Sequence, residues 1–133
     1  MLIPRYYFSN DYRDFYEYFL TQPHTVKIFR KDEYLWNYGD PITHIYYIIS
    51  GAAMTTLEHE NGSRKISSFH GEGTVFPGFH RSVFKIEQSI ATRAVTDMET
   101  LCFTGAAFLE MLSENSRLML STLDWYASYI NLL

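Results

Sequence analysis

Cysteine occurs once in the chain, at Cys102. A single thiol excludes an internal disulfide framework, a multi-cysteine zinc site and a four-cysteine iron–sulfur cluster. No apolar run approaches the ~18 residues that a membrane span requires. The start, Met1 to Tyr7, lacks the basic-then-apolar pattern of a secretory leader. Positive charge is in deficit, with eleven Lys and Arg against fifteen Asp and Glu, a formal net charge of -4. Chains that grip DNA or RNA by their phosphates carry the opposite balance, so direct nucleic-acid binding by this chain alone is disfavoured. The expectation left standing is a cytoplasmic domain with no contact to a membrane.

What the chain has in quantity is core material. Of its 133 residues 47% are apolar and 17% aromatic, which suits one domain with a full hydrophobic core and argues against disorder. Three segments differ in texture. In residues 1–24, Tyr12, Phe15, Tyr16, Phe19 and Leu20 recur at helical spacing, with Ser9, Asn10 and Asp11 ahead of them as N-cap side chains and Pro23 behind. Residues 25–104 carry turn signals about every ten residues, among them Gly39-Asp40-Pro41, Ser50-Gly51, Asn61-Gly62 and Pro77-Gly78. The short β-branched and aromatic runs between them predict an antiparallel sandwich, roll or barrel. Asn61-Gly62 predicts a type I′ hairpin turn, with both residues at positive φ.

Residues 105–133 are helical in pattern. One helix is predicted over Ala106 to Ser113, and a second from about Asn115 to the end. In the second, Met119, Leu123, Tyr126, Ile130 and Leu133 follow a 4-3-4-3 spacing, the stripe of a coiled-coil seam. That stripe suits pairing with a second copy, or packing back onto the chain's own β-core.

Motifs for catalysis are missing. Cys102 lies within an apolar strand, where a thiol is buried and inert. There is no Gly-x-Ser-x-Gly elbow and no phosphate-cradling glycine motif. The histidines His24, His44, His59, His70 and His80 show no i, i+2 or i, i+4 pairing that would set up metal ligands. Gly71 to Ser89 is the informative segment, since so long an irregular stretch in a small β-domain is a functional loop or an ordinary crossover. It holds Phe76, Phe79 and Phe84 with Arg81 and Lys85, a composition suited to a small, partly apolar, anionic ligand.

The series of parts resembles the cyclic-nucleotide-binding fold of Crp/Fnr-type bacterial regulators. Asn37-Tyr38-Gly39-Asp40-Pro41 followed by Ile45-Tyr46-Tyr47-Ile48-Ile49-Ser50-Gly51 is similar to that family's turn and central strand. The Asn61-Gly62 hairpin, Ser68 to Gly73, Ser89 to Thr96 and Asp97 to Phe103 follow at matching intervals. The resemblance implies a mainly β fold with flanking α elements: an antiparallel β-roll, or jelly roll, followed by a C-terminal dimerisation helix. It also implies a homodimer through that helix and a small-molecule effector, with DNA bound only through a helix-turn-helix that lies outside these residues. Neither an enzymatic role nor a cofactor is implied.

Where the chain departs from that family, the ligand is affected. Members that bind cyclic AMP carry Gly-Glu early in the loop and Arg-Ser near its end, the Glu for the ribose and the Arg for the phosphate. Here Pro77-Gly78 and Gln88-Ser89 stand in those places. Losing two charge-assisted hydrogen bonds of ~1.5–3 kcal/mol each makes cyclic AMP a poor ligand. Phe76, Pro77, Gly78, Phe79, His80, Arg81, Gln88 and Ser89 are the candidate lining for a different metabolite. A rival class is a small cupin-like metal-dependent enzyme or binding protein, which needs ligands converging from His59, His70, His80 and Glu72.

Overall fold

The structure is a computed structural model, and it describes residues 6–79 and 89–132, with the backbone alone at Leu132. Nine strands and three helices run in the order β1 (Tyr7–Phe8), a 3-10 turn (Arg13–Phe15), α1 (Tyr16–Leu20), β2 (Thr25–Phe29), β3 (Tyr34–Trp36), β4 (His44–Ser50), β5 (Ala53–Glu58), β6 (Arg64–His70), β7 (Val75–Phe76), β8 (Ile90–Ala94), β9 (Met98–Thr104), α2 (Gly105–Glu114) and α3 (Ser116–Leu132), counted among the described residues. The strands form two sheets, β1-β6-β5-β8-β3 and β2-β9-β4-β7. Every pairing is antiparallel except β1 with β6. This is a β-roll followed by a C-terminal helix, as the resemblance implies.

Two clusters hold it together, and β4 belongs to both. Successive side chains of a strand point to opposite faces, so the run Ile45-Tyr46-Tyr47-Ile48 is buried throughout. Tyr46 and Ile48 meet Phe29, Ala53, Ala94, Met98 and Cys102, a cluster that joins residues of the two sheets. Ile45 and Tyr47 meet Phe15, Phe19, Leu101, Phe103, Phe108 and Met111, which fastens the helices to the other face. Cys102 is buried as expected, and burial pushes its thiol pKa up, away from thiolate chemistry.

Three local expectations need correction. At the β5–β6 hairpin only Gly62 has positive φ, at 84°, and Asn61 does not. The His59 N–H bonds to the Ser63 carbonyl and the Gly62 N–H to the His59 carbonyl, a three-residue loop ending in a left-handed glycine. The Asn61 side chain instead accepts from the Ser63 backbone and hydroxyl, which holds the turn without a second positive φ.

The first helical segment is broken in two, and no side chain caps either piece. Tyr12 lies ahead of both pieces and is fully buried. The backbone of Asn10 and Tyr12 bonds to the carbonyls of Glu72 and Gly73, which pulls the entry off a helical path. Asp11 serves elsewhere, as shown below. The short strands β1, β3 and β7 have too few residues to show a period, and the sequence pattern did not reveal them.

Candidate functional site

Sheet pairing places the functional candidates on the inner wall of the roll. Thr55 of β5 lies opposite Ser68 of β6 on one side and Thr92 of β8 on the other. Two residues along, on the same face, Ala53 lies between His70 and Ala94. The wall is thus a row of three hydroxyls beside a histidine and two alanines, all buried. Thr55 and Thr92 share a hydrogen bond at 2.8 Å, and Ser68 Oγ lies 2.9 Å from His70 Nε2.

Aromatic rings face this wall. Phe76 stacks on His70 with 3.8 Å between ring centroids, and Phe8 stacks on it at 5.8 Å. Trp36 stacks on Phe76, while Trp125 of α3 meets Phe76 and Phe8 at a tilt. Tyr129, one turn further along α3, lies nearly parallel to Trp125 at 5.2 Å and 10°. Its hydroxyl reaches Ser68 Oγ at 3.3 Å and Ser67 Oγ at 3.5 Å.

His70 is fully buried, and desolvation lowers its pKa to about 3. It is therefore a neutral imidazole whose Nε2 is engaged by Ser68 and whose Nδ1 has no partner. Among the described residues no other buried side-chain nitrogen or oxygen is left unpaired.

The N-terminal segment clasps α3 over the same site. The Trp125 indole N–H donates to Asp11 Oδ2 at 2.9 Å, the Thr74 hydroxyl donates to the same oxygen at 3.2 Å, and the Tyr12 hydroxyl donates to Thr122 Oγ1. Leu118, Thr122, Trp125 and Tyr129 thus form the inward stripe of α3. Met119, Leu123 and Ile130 lie on the outer side, 36%, 54% and 68% exposed.

The described loop residues expected to line a pocket take different places. Phe76 is buried on His70, and Pro77 is buried beside it in sequence. Gly78 abuts the Tyr126 ring, and Phe79 covers Gly105 at the start of α2. The Phe79 backbone hydrogen-bonds the Tyr126 hydroxyl, so Tyr126 is held half-buried against the loop of its own chain. Ser89 is half-buried just ahead of β8. His80, Arg81, Gln88 and Leu133 lie outside the described residues.

A separate open cleft of about 640 Å³ lies between the N-terminal segment and β4, lined by Arg13, Asp14, Tyr16, Glu17, Tyr47 and Glu72 with Asn10, Ile49 and Gly73. Among the described residues, none of the loop candidates (Phe76, Pro77, Gly78, Phe79 and Ser89) borders it. Of the residues named for a metal site, His59 is exposed on the hairpin, Glu72 is exposed and His70 is buried within the roll. No group of three or more His, Cys, Asp or Glu among the described residues is placed to hold a metal ion.

Sequence reasoning did not identify Thr55, Ser67, Ser68, Thr92, Trp125 and Tyr129 as site residues. The available signal was polar side chains at inward positions of strands, such as Ser68 and His70 two apart. Its meaning depends on knowing which face is inward.

The family profile for the cyclic nucleotide-binding domain matches residues 26–115. No curated protein sequence matches the chain. Among solved structures, FixK2 from Bradyrhizobium japonicum is similar with a TM-score of 0.68 and 19% identity, over 83% of this chain and 54% of that one. CprK in complex with o-chlorophenolacetic acid is similar with a TM-score of 0.74 and 14% identity, over 93% of this chain and 51% of that one. A transcriptional regulator from Thermotoga maritima is similar with a TM-score of 0.69 and 22% identity, over 82% and 84% of the two chains. The chain spans about half the length of the first two.

Proposed function

The chain belongs to the cyclic nucleotide-binding domain family, and on that premise we propose that it is the effector-sensing part of a Crp/Fnr-type transcription regulator. In this reading it is a cytoplasmic binding module, not an enzyme, and its effector is a small metabolite other than cyclic AMP. It pairs with a second copy through α3, and DNA is bound by a module outside these residues.

The observation that carries the reading is the contact between wall, loop and helix. His70 and Ser68 of the roll, Phe76 to Phe79 of the loop, and Trp125, Tyr126 and Tyr129 of α3 touch one another. A ligand that bears on this cluster bears on the helix whose outer face carries Met119, Leu123 and Ile130. Occupancy of the roll then biases the geometry of the dimer, a population shift that needs a preference of ~5 kcal/mol to run from mostly off to mostly on.

The change of ligand is supported by position 78. Glycine there offers no carboxylate to a ribose, and its space is bordered by Tyr126. Gln88 in place of arginine brings no charge to a cyclic phosphate. That CprK was crystallised with o-chlorophenolacetic acid supports an effector with an aromatic ring.

Calorimetric titration with cyclic AMP, run beside a thermal-shift screen of ring-bearing metabolites, tests the reading. It expects no saturable heat at micromolar cyclic AMP and at least one stabilising compound from the screen. Saturation by micromolar cyclic AMP, or a screen in which nothing stabilises the protein, contradicts it.

A further inference from the structure

The Tyr129 phenol occupies the middle of the contact cluster and is loosely held there. Its hydroxyl lies 3.3 and 3.5 Å from the Ser68 and Ser67 oxygens, beyond the 2.7–2.8 Å typical of a good O–H···O bond. Its ring has what a bound aromatic molecule would have, a parallel partner in Trp125 and edge or tilted partners in Phe76 and Phe8. Meanwhile His70 Nδ1, in a fully buried side chain, has no partner. Thr55 with Thr92 and Ser68 with His70 are paired on this wall, so His70 Nδ1 is the group that a permanently closed core would leave at a cost, since a buried polar atom is destabilising when it lacks a partner.

We propose that Tyr129 is a built-in stand-in for the effector, and that the effector is a neutral ring-bearing molecule whose hydrogen-bonding group takes the phenol's place at Ser68 and pairs with His70 Nδ1. This rests on the reading of the roll as a sensor and names the ligand class it takes. Serine, threonine, tyrosine and a neutral histidine set the polarity of the site. Among the described residues the charge beside it, Asp11, is negative and engaged by Trp125 and Thr74, so a neutral effector is favoured over an anion. Because Tyr129 shares a helix face with Trp125, its displacement frees the last turns of α3 from the wall. Effector entry and helix release are then one event.

The probes are p-cresol, which is the tyrosine side chain as a free molecule, and toluene, the same ring without the hydroxyl. Both are titrated into wild type and Tyr129→Gly, following thermal unfolding and the imidazole ¹⁵N resonances of His70. The proposal expects p-cresol to bind Tyr129→Gly about tenfold more tightly than toluene and about tenfold more tightly than it binds wild type. It also expects the His70 Nδ1 resonance to move. Should Tyr129→Gly fail to fold, Tyr129→Phe, which keeps the ring and loses the hydroxyl, takes its place with the same expected order.

Equal binding of p-cresol and toluene, or equal binding of p-cresol to variant and wild type, overturns the proposal. So does binding that leaves the His70 resonances unmoved. A screening hit that binds wild type while Tyr129 stays on Ser68 also overturns it, yet leaves the sensor reading standing. A screen without any hit defeats that reading itself.

Discussion

Asp11 accepts the indole N–H of Trp125 at 2.9 Å across 114 positions of sequence. The same carboxylate accepts the Thr74 hydroxyl, so one side chain joins the N-terminal segment, the start of the loop and α3. Removing it leaves the indole N–H without its charged acceptor. Asp11→Ala is expected to lower stability by about 1 kcal/mol, below the ~1.5–3 kcal/mol of a charged hydrogen bond because Asp11 is exposed. Hydrogen exchange should quicken in α3 around Trp125 more than in β4 or β9. Uniform acceleration across the chain would show that the bond does not hold α3 in particular.

His70 gives the fold a dependence on pH of known sign. Its folded pKa of about 3 lies below the ordinary 6.5, so the unfolded chain binds a proton that the folded chain refuses. The stability this group contributes is complete above pH 6.5 and is lost as pH falls through the window from 6.5 to about 3. Between pH 7 and 5.5 the loss amounts to about 1 kcal/mol from this one group. Urea unfolding of wild type and His70→Leu should show the wild-type curve falling over that range and the variant's staying flatter. Parallel curves would mean that His70 titrates as it does in water.

Position 78 tests the contact between loop and helix. A Cβ there would lie 3.2 Å from the Tyr126 ring and hydroxyl, tight enough that the ring must give by a few tenths of an ångström. Gly78→Ala should therefore be mild, and Gly78→Val should cost ~1–3 kcal/mol by overpacking. Tyr126→Ala in the same chain should relieve most of the Val penalty, a coupling readable from a double-mutant cycle. Additive effects would separate the loop from α3.

The outer face of α3 is the proposed seam. Met119, Leu123 and Ile130 place three apolar side chains along one side of the helix, and Leu120, 62% exposed, adds a fourth. Replacing Met119, Leu123 and Ile130 with Asp should give soluble monomer in sedimentation velocity without loss of the helical signal. An unchanged sedimentation coefficient would remove the seam.

The roll was legible in the sequence because its signals are local. Turn residues at Gly51, Gly62 and Pro77-Gly78 fixed the rhythm, and β4 announced itself as a continuous apolar run. The division of α3 into an inward and an outward face was half legible. The 4-3-4 spacing of Met119, Leu123, Tyr126 and Ile130 was visible, yet the parallel spacing of Leu118, Thr122, Trp125 and Tyr129 needed the roll to show which stripe it would cover. The site was the least legible part. Thr55, Ser68 and Thr92 meet only through strand register, which joins positions 13 and 37 apart, and no spacing within one segment encodes that. Asp11 looked like a helix cap because its nearest neighbours in sequence begin a helix, whereas its partner lies at the other end of the chain.

The central claim is that this domain senses a small molecule on behalf of a DNA-binding regulator. Reading the coding DNA for several hundred bases past codon 133 tests it most directly. The account predicts an open frame that continues into a helix-turn-helix. A stop codon directly after Leu133 would contradict control of DNA by this chain and leave a ligand-binding roll that acts alone.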